Sequence, residues 1–448
     1  MNRLKRWWLD LNASLWFLPA LMVAGAIVLA FALVLVDARI GHDWVEDYPL
    51  LFGAGADGAR GMLAAIAGSM ITVAALIFSL TVSTLAQVSS QYTPRVLRNF
   101  MGDRANQLVL GFFVSIFVYC LIVLRTIRGG DEGRFIPSLA ALFGLVLALV
   151  SIGVLIFFIH HIASSIQASN IVRNATDETE AAIERLFPQE MGQAASPTEA
   201  RTLHHEAPDL RWLPVRANRT GYVQSIDEDG LLNLARRQDS VVHLALGIGS
   251  FVAKGSVLLE VARYGPATPL PSETTRELRA TFSIGSQRTI EQDAGFGLRQ
   301  IVDIALKALS PGVNDTTTAV ICIDHLGALL ALLATRQFPD SLRSDTDTNR
   351  VRVVARQPSF ADYVSTAFDQ ILTSGLQNVA VLLRLLSALK TIAERTSRPE
   401  RLQVLRQQSE LIAAAEQRLT SPHEWELVRQ RLSELEPLLR PVPAGQSA

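Results

Sequence analysis

Residues 61–85 read GMLAAIAGSMITVAALIFSLTVSTL, a long run without a charged side chain. A helix of about 20 apolar residues crosses the ~30 Å hydrocarbon core of a bilayer. Three more uncharged runs lie at residues 14–36, 105–124 and 136–159. A charge at the centre of a span costs about 3 kcal/mol or more. These runs therefore predict an integral membrane protein with four transmembrane helices.

A row of mostly polar side chains recurs at helical spacing along the run 61–85 and just beyond it. The row consists of Ser69, Thr72, Leu76, Ser79, Ser83 and Gln87, with Leu76 as its apolar member. Small hydroxylated residues let membrane helices pack closely, which is their commoner use. Such a row can also line a water path through an oligomer. Both interpretations stay open at the level of sequence.

The uncharged runs also limit the class of function. Ion-coupled pumps and transporters use charged or histidine side chains within their spans, and none occurs here. Passive conduction of small ions or simple anchoring remains. The formal net charge of −1 gives no reason to expect nucleic acid as a partner. We expect the lipid bilayer and further copies of the chain as partners.

Lys and Arg near the span ends predict the orientation in the membrane. Arg3, Lys5 and Arg6 precede the first run, and Arg95, Arg98 and Arg104 lie in the loop after the second. Three arginines in the loop after the third run weaken this bias. The basic start and a bulky tail without a disulfide framework favour cytoplasmic N- and C-termini. We therefore expect a multi-pass membrane protein.

The rest of the chain predicts an α+β soluble part. Residues 166–212 are expected to form a helical extension and a linker. The fourth span should continue as one unbroken helix, since no Pro or Gly precedes Pro188. We expect a small β module at 213–265, a mainly helical domain with a bundle at 266–440 and a disordered tail at 441–448. Residues 350–355, RVRVVA, alternate like an edge strand.

The β module resembles the barrel-sandwich fold of lipoyl and biotinyl domains. The resemblance rests on Gly221-Tyr-Val and on residues 249–255, GSFVAKG, before an apolar strand. In true carriers a modified lysine lies in a hairpin between the two halves. The corresponding residues 227–240, DEDGLLNLARRQDS, contain no lysine. We therefore expect neither a carrier function nor a cofactor.

A set of polar residues follows the β module. It comprises Arg288, Glu291, Asp293, Arg299, Asp303, Asn314 and Asp315. The set could form a polar site. It could equally be a solvated helix face with a helix cap at Asn314 or Asp315, which is the commoner arrangement. No GxxxxGK[ST], HExxH, CxxC or GxSxG motif occurs. We therefore expect no enzymatic activity and no metal site.

The chain resembles a family of bacterial predicted inner-membrane proteins grouped as a domain of unknown function. The resemblance rests on the uncharged four-span start, on SSQYTPRVLRNF at 89–100 and on SPGVNDTTTA at 310–319. It runs from the first span to about Ala334. It implies an inner-membrane protein with a cytoplasmic C-terminal domain, and it implies no activity.

Three functions agree with these features. The first is a homo-oligomeric passive ion channel, with the row on the second span lining the path and the cytoplasmic domain gating it. The alternative is a membrane-anchored scaffold or sensor without a conduction path. An enzyme that uses the polar set is the third, and it would need those side chains to converge in a concave pocket.

Overall fold

The computed structural model describes residues 16–39, 55–91, 103–128, 135–165, 167–187, 212–263, 270–338, 341–345, 350–415, 418–419 and 421–440. The predicted linker at 188–211, the loop at 92–102 and the predicted disordered tail at 441–448 lie outside them. The chain divides into two compact units, residues 1–171 and 172–448.

The first unit contains helices α1 (Phe17–Arg39), α2 (Ala56–Gln91), α3 (Arg104–Thr126) and α4 (Ser138–Ser165). Each carries one of the predicted spans, apart from residues 14 and 15, which are not described. All four are long and apolar enough to cross a membrane, and so is a fifth helix, Thr316–Thr335, in the second unit. The chain is thus a membrane protein with several apolar helices.

Helix α3 forms the centre of the first unit. Phe113, Ile116 and Tyr119 of this helix are almost fully buried. Close approach depends on small residues: a side chain at Gly111 would meet Pro19 of α1, and one at Gly144 of α4 would meet Leu63 of α2. This is the packing expected between membrane helices. In lipid the hydrophobic effect does not drive helices together, and small residues allow the close van der Waals contact that does.

Polar contacts join helix ends at both ends of the first unit's helices. Asp37 at the end of α1 accepts hydrogen bonds from the backbone N–H groups of Leu139 and Ala140, at 3.1 and 2.9 Å, where α4 begins. Arg60 near the start of α2 donates to the carbonyl of Ile127, just after α3, at 3.0 Å. At the opposite end, Asp103 before α3 contacts His161 near the end of α4 at 2.5 Å. Successive helices therefore run in opposite directions.

Replacing Asp37 by Ala should destabilise the first unit by about 2 kcal/mol, because two buried N–H groups at a helix start lose their acceptor. The measurement is thermal unfolding of the full chain in detergent. Asp57→Ala is the matched control, since the Asp57 carboxylate is fully exposed in the first turn of α2. Equal unfolding temperatures for the two variants would contradict the capping role of Asp37.

The predicted unbroken helix after the fourth span is wrong. Helix α4 ends at Ser165, and α5 (Ala168–Leu186) begins after the non-helical Gln167. The side-chain amide of Asn170 donates to the carbonyl of Ser164 at 2.7 Å and so stabilises the junction. From Val172 onward, α5 belongs to the second unit, and its buried Thr179 contacts Gly297. Helix α5 is therefore part of a core and not a spacer.

The second unit contains two β-sheets. Their strands are β1 (Leu213–Arg216), β2 (Gly221–Ile226), β3 (Ser240–Leu244), β4 (Phe251–Val252), β5 (Val257–Arg263), β6 (Phe282–Gly285), β7 (Leu342–Ser344) and β8 (Val351–Val354). The strand orders are β1-β5-β3-β8-β7 and β4-β2-β6. Only the β3–β8 pair is parallel among the described pairs.

This arrangement is not a self-contained barrel-sandwich module. Strands β6, β7 and β8 come from outside residues 213–265 and complete the sheets. Helix α6 (Glu228–Arg237) occupies the place of the carrier hairpin. The edge assignment of β8 is wrong, because β7 covers it and its Val351 and Val353 are buried. Arg352 is buried too, and its guanidinium donates to Asp239 at 2.7 Å.

Most of the remaining helices of the second unit pack against one another, whereas the first of them contacts strands β1 and β6. They are α7 (Ser272–Ala280), α8 (Ala294–Ala308), α9 (Thr316–Thr335), α10 (Phe360–Ser374), α11 (Val379–Ala393), α12 (Pro399–Ala415) and α13 (Pro422–Leu435), followed by a 3-10 turn at Glu436–Leu439. Helix α9 packs between α8 and α11. Its Asp324 pairs with Arg384 of α11, so the charge within this apolar helix is compensated.

Candidate functional site

The predicted row on α2 lies on the surface of the first unit. Ser69, Thr72, Leu76, Ser79, Ser83 and Gln87 are all exposed. The opposite face of α2, with Leu63, Ile66 and Ile77, is buried in the core around α3. Packing between the helices of one chain therefore does not account for the row. It faces lipid, water or another molecule.

The exposed surfaces of the other helices in this unit differ from that of α2. Large apolar side chains are exposed on every helix of this unit, such as Val28 on α1, Phe78 on α2 and Leu149 on α4; the difference lies in the hydroxyl groups. Within the described ranges of α1, α3 and α4, no exposed residue carries a hydroxyl group. Apolar side chains are what lipid tails favour. Among the described residues of these four helices, the exposed hydroxyl groups thus lie on α2.

Some of the hydroxyl groups are already bonded within α2. Ser69 donates to the carbonyl of Ile66 at 2.9 Å, and Thr72 donates to the carbonyl of Gly68 at 2.8 Å. Such bonds let Ser and Thr lie in a membrane helix at little cost. Each oxygen still presents lone pairs on the exposed face. Leu76 lies between these residues and Ser79, and its side chain is 60% exposed.

The first part of the polar set forms a structural clamp. Arg288 donates from Nε and Nη2 to one carboxylate oxygen of Asp293, at 2.9 and 2.7 Å. The other oxygen accepts from the N–H of Phe296 at 2.9 Å and caps α8. Gly249 packs against this pair with φ +80°, and a Cβ there would overlap the carboxylate. The clamp joins the turn before β4 to the start of α8.

The rest of the polar set serves as caps and surface pairs. Arg299 and Asp303 form an ion pair at 2.9 Å within α8. Asp315, and not Asn314, caps α9 by accepting from the N–H and hydroxyl of Thr318, at 3.0 and 2.5 Å. These bonds lower the pKa of Asp315. Asn314 takes the left-handed φ of +48°. For Glu291, the backbone carbonyl accepts from Arg185.

Sequence reasoning missed a buried arginine in the second unit. Arg401 is 4% exposed, and it donates to the carbonyls of Ala334 and Arg336 at the end of α9. Its guanidinium stacks on the rings of Phe338 and Phe360, at 5.1 and 5.4 Å. Burial lowers the pKa of Arg401 to about 10. No local spacing signals this contact, because its partners lie more than 40 residues away in sequence.

Metal ligation has no candidate in the part of the chain that the structure describes. No group of three or more His, Cys, Asp or Glu residues there could hold a metal ion. Cys120 and Cys322 are both free and buried.

Comparison with known proteins gives one family and no structural relative. The family model described as "predicted membrane protein (DUF2254)" matches residues 12–391. Uncharacterised proteins of Mycobacterium bovis and Mycobacterium tuberculosis are each 35% identical over 421 residues, which is 93% of this chain and 79% of theirs. No solved structure shows a significant match.

Proposed function

The chain belongs to the DUF2254 family of predicted membrane proteins, and we propose that it is a homo-oligomeric passive ion channel. In this proposal, α2 of each copy faces the oligomer axis, and its row lines the path for small ions. The observation that carries the proposal is the exposure of the row, whose hydroxyl groups have no exposed counterpart in the described parts of α1, α3 and α4.

The proposed topology has four spans, α1 to α4, in the bacterial inner membrane. Helix α9 is not a span in this proposal, because it is mostly buried among α8 and α11 and carries Asp324 and His325. The contacts at the helix ends support alternating directions for the four spans. An even number of spans leaves both termini on one side. The basic residues before α1 favour the cytoplasm.

The length of α2 fits a lining helix. Its 36 residues extend about 54 Å at 1.5 Å per residue, which is more than the ~30 Å hydrocarbon core. The row from Ser69 to Gln87 covers about 27 Å of this length. The side chains from Gly61 to Gln91 carry no charge. Such a path would offer weak polar contacts to ions and no proton relay, as passive conduction requires.

A membrane-anchored scaffold or sensor is the second candidate. The bonds from Ser69 and Thr72 to their own helix favour it, because hydroxyls satisfied in this way do not need water. In that case the row would contact lipid or another copy without enclosing a path. The two candidates differ in conduction, and each is compatible with oligomerisation.

Recording from the purified full chain in planar bilayers tests the channel directly. Discrete current steps in simple salt solutions are expected, without a need for a proton gradient. A silent membrane across ions and voltages would contradict conduction and leave the scaffold.

Cysteine crosslinking tests where α2 lies in the oligomer. Native Cys120 and Cys322 are buried, so one engineered exposed cysteine should dominate the reaction. Ser79→Cys should form disulfide-linked dimers under mild oxidation. Ile156→Cys, on the exposed apolar face of α4, is the matched control and should remain mostly monomeric. Efficient crosslinking through residue 156 alone would place α4, and not α2, at the contact between copies.

A further inference from the structure

Four cations lie around two adjacent turns of the second unit. Arg216 ends β1, Arg219 lies in the turn between β1 and β2, and the turn between β4 and β5 carries Lys254. Arg279 of α7 joins them, because its Nε donates to the carbonyl of Arg216 at 2.7 Å. We name these four residues the basic patch. The stretches 213–222 and 249–257 that form the two turns contain no acidic residue.

Backbone and side-chain contacts hold the two turns together. The N–H of Ala217 donates to the carbonyl of Ser256 at 2.8 Å, and that of Gly255 donates to Ala217 at 2.9 Å. Arg216 donates from Nη1 to the carbonyl of Gly255 at 2.9 Å. The N–H of Lys254 donates to the hydroxyl of Thr220 at 3.0 Å. The cations are thus gathered by a fixed framework, although their positions in sequence are far apart.

The basic patch has no internal counter-charge. None of its four cations forms an ion pair with a described residue, whereas many other arginines of this unit do. Unpaired like charges placed together repel each other, which is unfavourable in the isolated unit. An anionic surface would remove this repulsion. The charge of the patch therefore indicates an acidic partner.

An exposed aromatic side chain lies beside the basic patch. Phe251 is 57% exposed, and its ring contacts Tyr222 edge-on at 5.2 Å. Phe251 pairs with Tyr222 across β4 and β2, directly before the turn that carries Lys254. Aromatic rings next to basic residues are typical of surfaces that bind at the level of lipid headgroups.

We propose that the basic patch and Phe251 bind the anionic headgroups of a phospholipid bilayer. The apolar helices of the same chain keep this unit tethered to a membrane, so the lipid surface is present at a high effective concentration. The inner leaflet of cell membranes has a negative surface potential. Binding would limit the orientations of the second unit. This inference does not depend on conduction and holds equally for a channel or a scaffold.

A fluorescence experiment on the full chain tests the proposal. Ala253 is exposed beside Lys254, so a cysteine introduced there, Ala253→Cys, can carry a fluorophore. The labelled protein is reconstituted into phosphatidylcholine vesicles, with or without phosphatidylglycerol, together with a lipid that carries a quencher on its headgroup. Strong quenching is expected only in the anionic vesicles. It should fall in 1 M salt, where the screening length is about 3 Å.

Charge reversal at the patch should abolish this quenching. Each cation removed near an anionic surface changes the equilibrium roughly fivefold. Arg219→Glu/Lys254→Glu should therefore lower the ratio of bound to free unit by at least about 25-fold. Arg406→Glu/Arg440→Glu is the matched control, with the same change in charge at two exposed positions, one on α12 and one directly after the 3-10 turn Glu436–Leu439. This control should keep the quenching of the parent.

Three outcomes would overturn the proposal. The first is equal quenching in neutral and anionic vesicles, and the second is unchanged quenching in the Arg219→Glu/Lys254→Glu variant. The third is energy transfer between labelled copies that occurs without quenching by lipid and is lost in the Arg219→Glu/Lys254→Glu variant, which would identify a second copy as the acidic partner. If the Arg219→Glu/Lys254→Glu variant fails to fold, the salt dependence of the quenching in the labelled protein with all four cations still tests the proposal. Conduction is recorded separately, so its failure does not affect this test.

Discussion

Replacing Arg401 by Met is expected to lower the free energy of unfolding of the second unit by about 3–5 kcal/mol. The guanidinium of Arg401 lies at the end of α9 and donates to carbonyls that no other residue of that helix can satisfy. A methionine fills a similar volume but donates no hydrogen bond. Buried carbonyls would then lack partners, and the stacking on Phe338 and Phe360 would also be lost.

Urea unfolding of the full chain in detergent measures this effect. Trp212 and Trp425 belong to the second unit and report through their fluorescence. Arg406→Met on the same helix is the matched control. Its guanidinium is exposed and, among the residues that the structure describes, forms an ion pair with Glu410 alone, so a loss below about 0.5 kcal/mol is expected. Arg401→Lys should fall between the two, because an ammonium donates but cannot fork between carbonyls. Equal losses for both methionine variants would contradict the role of Arg401.

The pH dependence of the free energy of unfolding provides a second, independent test of the burial of Arg401. Burial in the folded state lowers the pKa of Arg401 to about 10, below the pKa of an arginine in the unfolded chain. The folded state therefore disfavours the proton, and burying the charge costs stability at neutral pH. This cost should diminish as the pH rises through 10. The bonds to the carbonyls must offset it, which explains why methionine is not a harmless replacement despite being uncharged.

Local features of the fold were predictable from sequence, and long-range ones were not. The four uncharged runs and the cap at Asp315 depend only on residues that are close together in the sequence. The break after Ser165 could not be predicted, because α5 starts anew to bury Thr179 against Gly297, more than 100 residues later. The interior position of β8 depends on its parallel pairing with β3, with Val353 beside Val242.

The candidate site shows the same division. Helical periodicity places Ser69, Thr72 and Ser79 on one face of α2. Periodicity alone cannot decide whether that face is buried or exposed. The answer depends on where α3 packs, and α3 covers the face with Leu63 and Ile66 instead. Likewise, the sequence gathers the seven polar residues into one stretch, but only tertiary structure divides them into a clamp, an ion pair and a cap.

Replacing Leu76 by Ser is expected to raise the open-channel conductance or open probability by at least about tenfold, if α2 lines the path. Leu76 is the apolar member of the row, and a ring of such side chains around an axis would exclude water from a narrow pore. A hydroxyl in its place continues the polar row. A change of about 1.4 kcal/mol in the cost of wetting is sufficient for a tenfold effect.

Ile156→Ser is the matched control for Leu76→Ser. Both side chains are exposed to a similar extent, 60% for Leu76 and 64% for Ile156. They also lie at similar depth. A side chain at Gly144 of α4 would touch Leu63 of α2; counted from that level toward the same side, Leu76 lies about 20 Å away and Ile156 about 18 Å. The two variants thus place one serine hydroxyl at the same level of the membrane on different helices. Single-channel recording should show the increase only for Leu76→Ser. An equal response to both serines would mean that the change acts through the lipid-facing surface, and the row on α2 would then have no special relation to conduction.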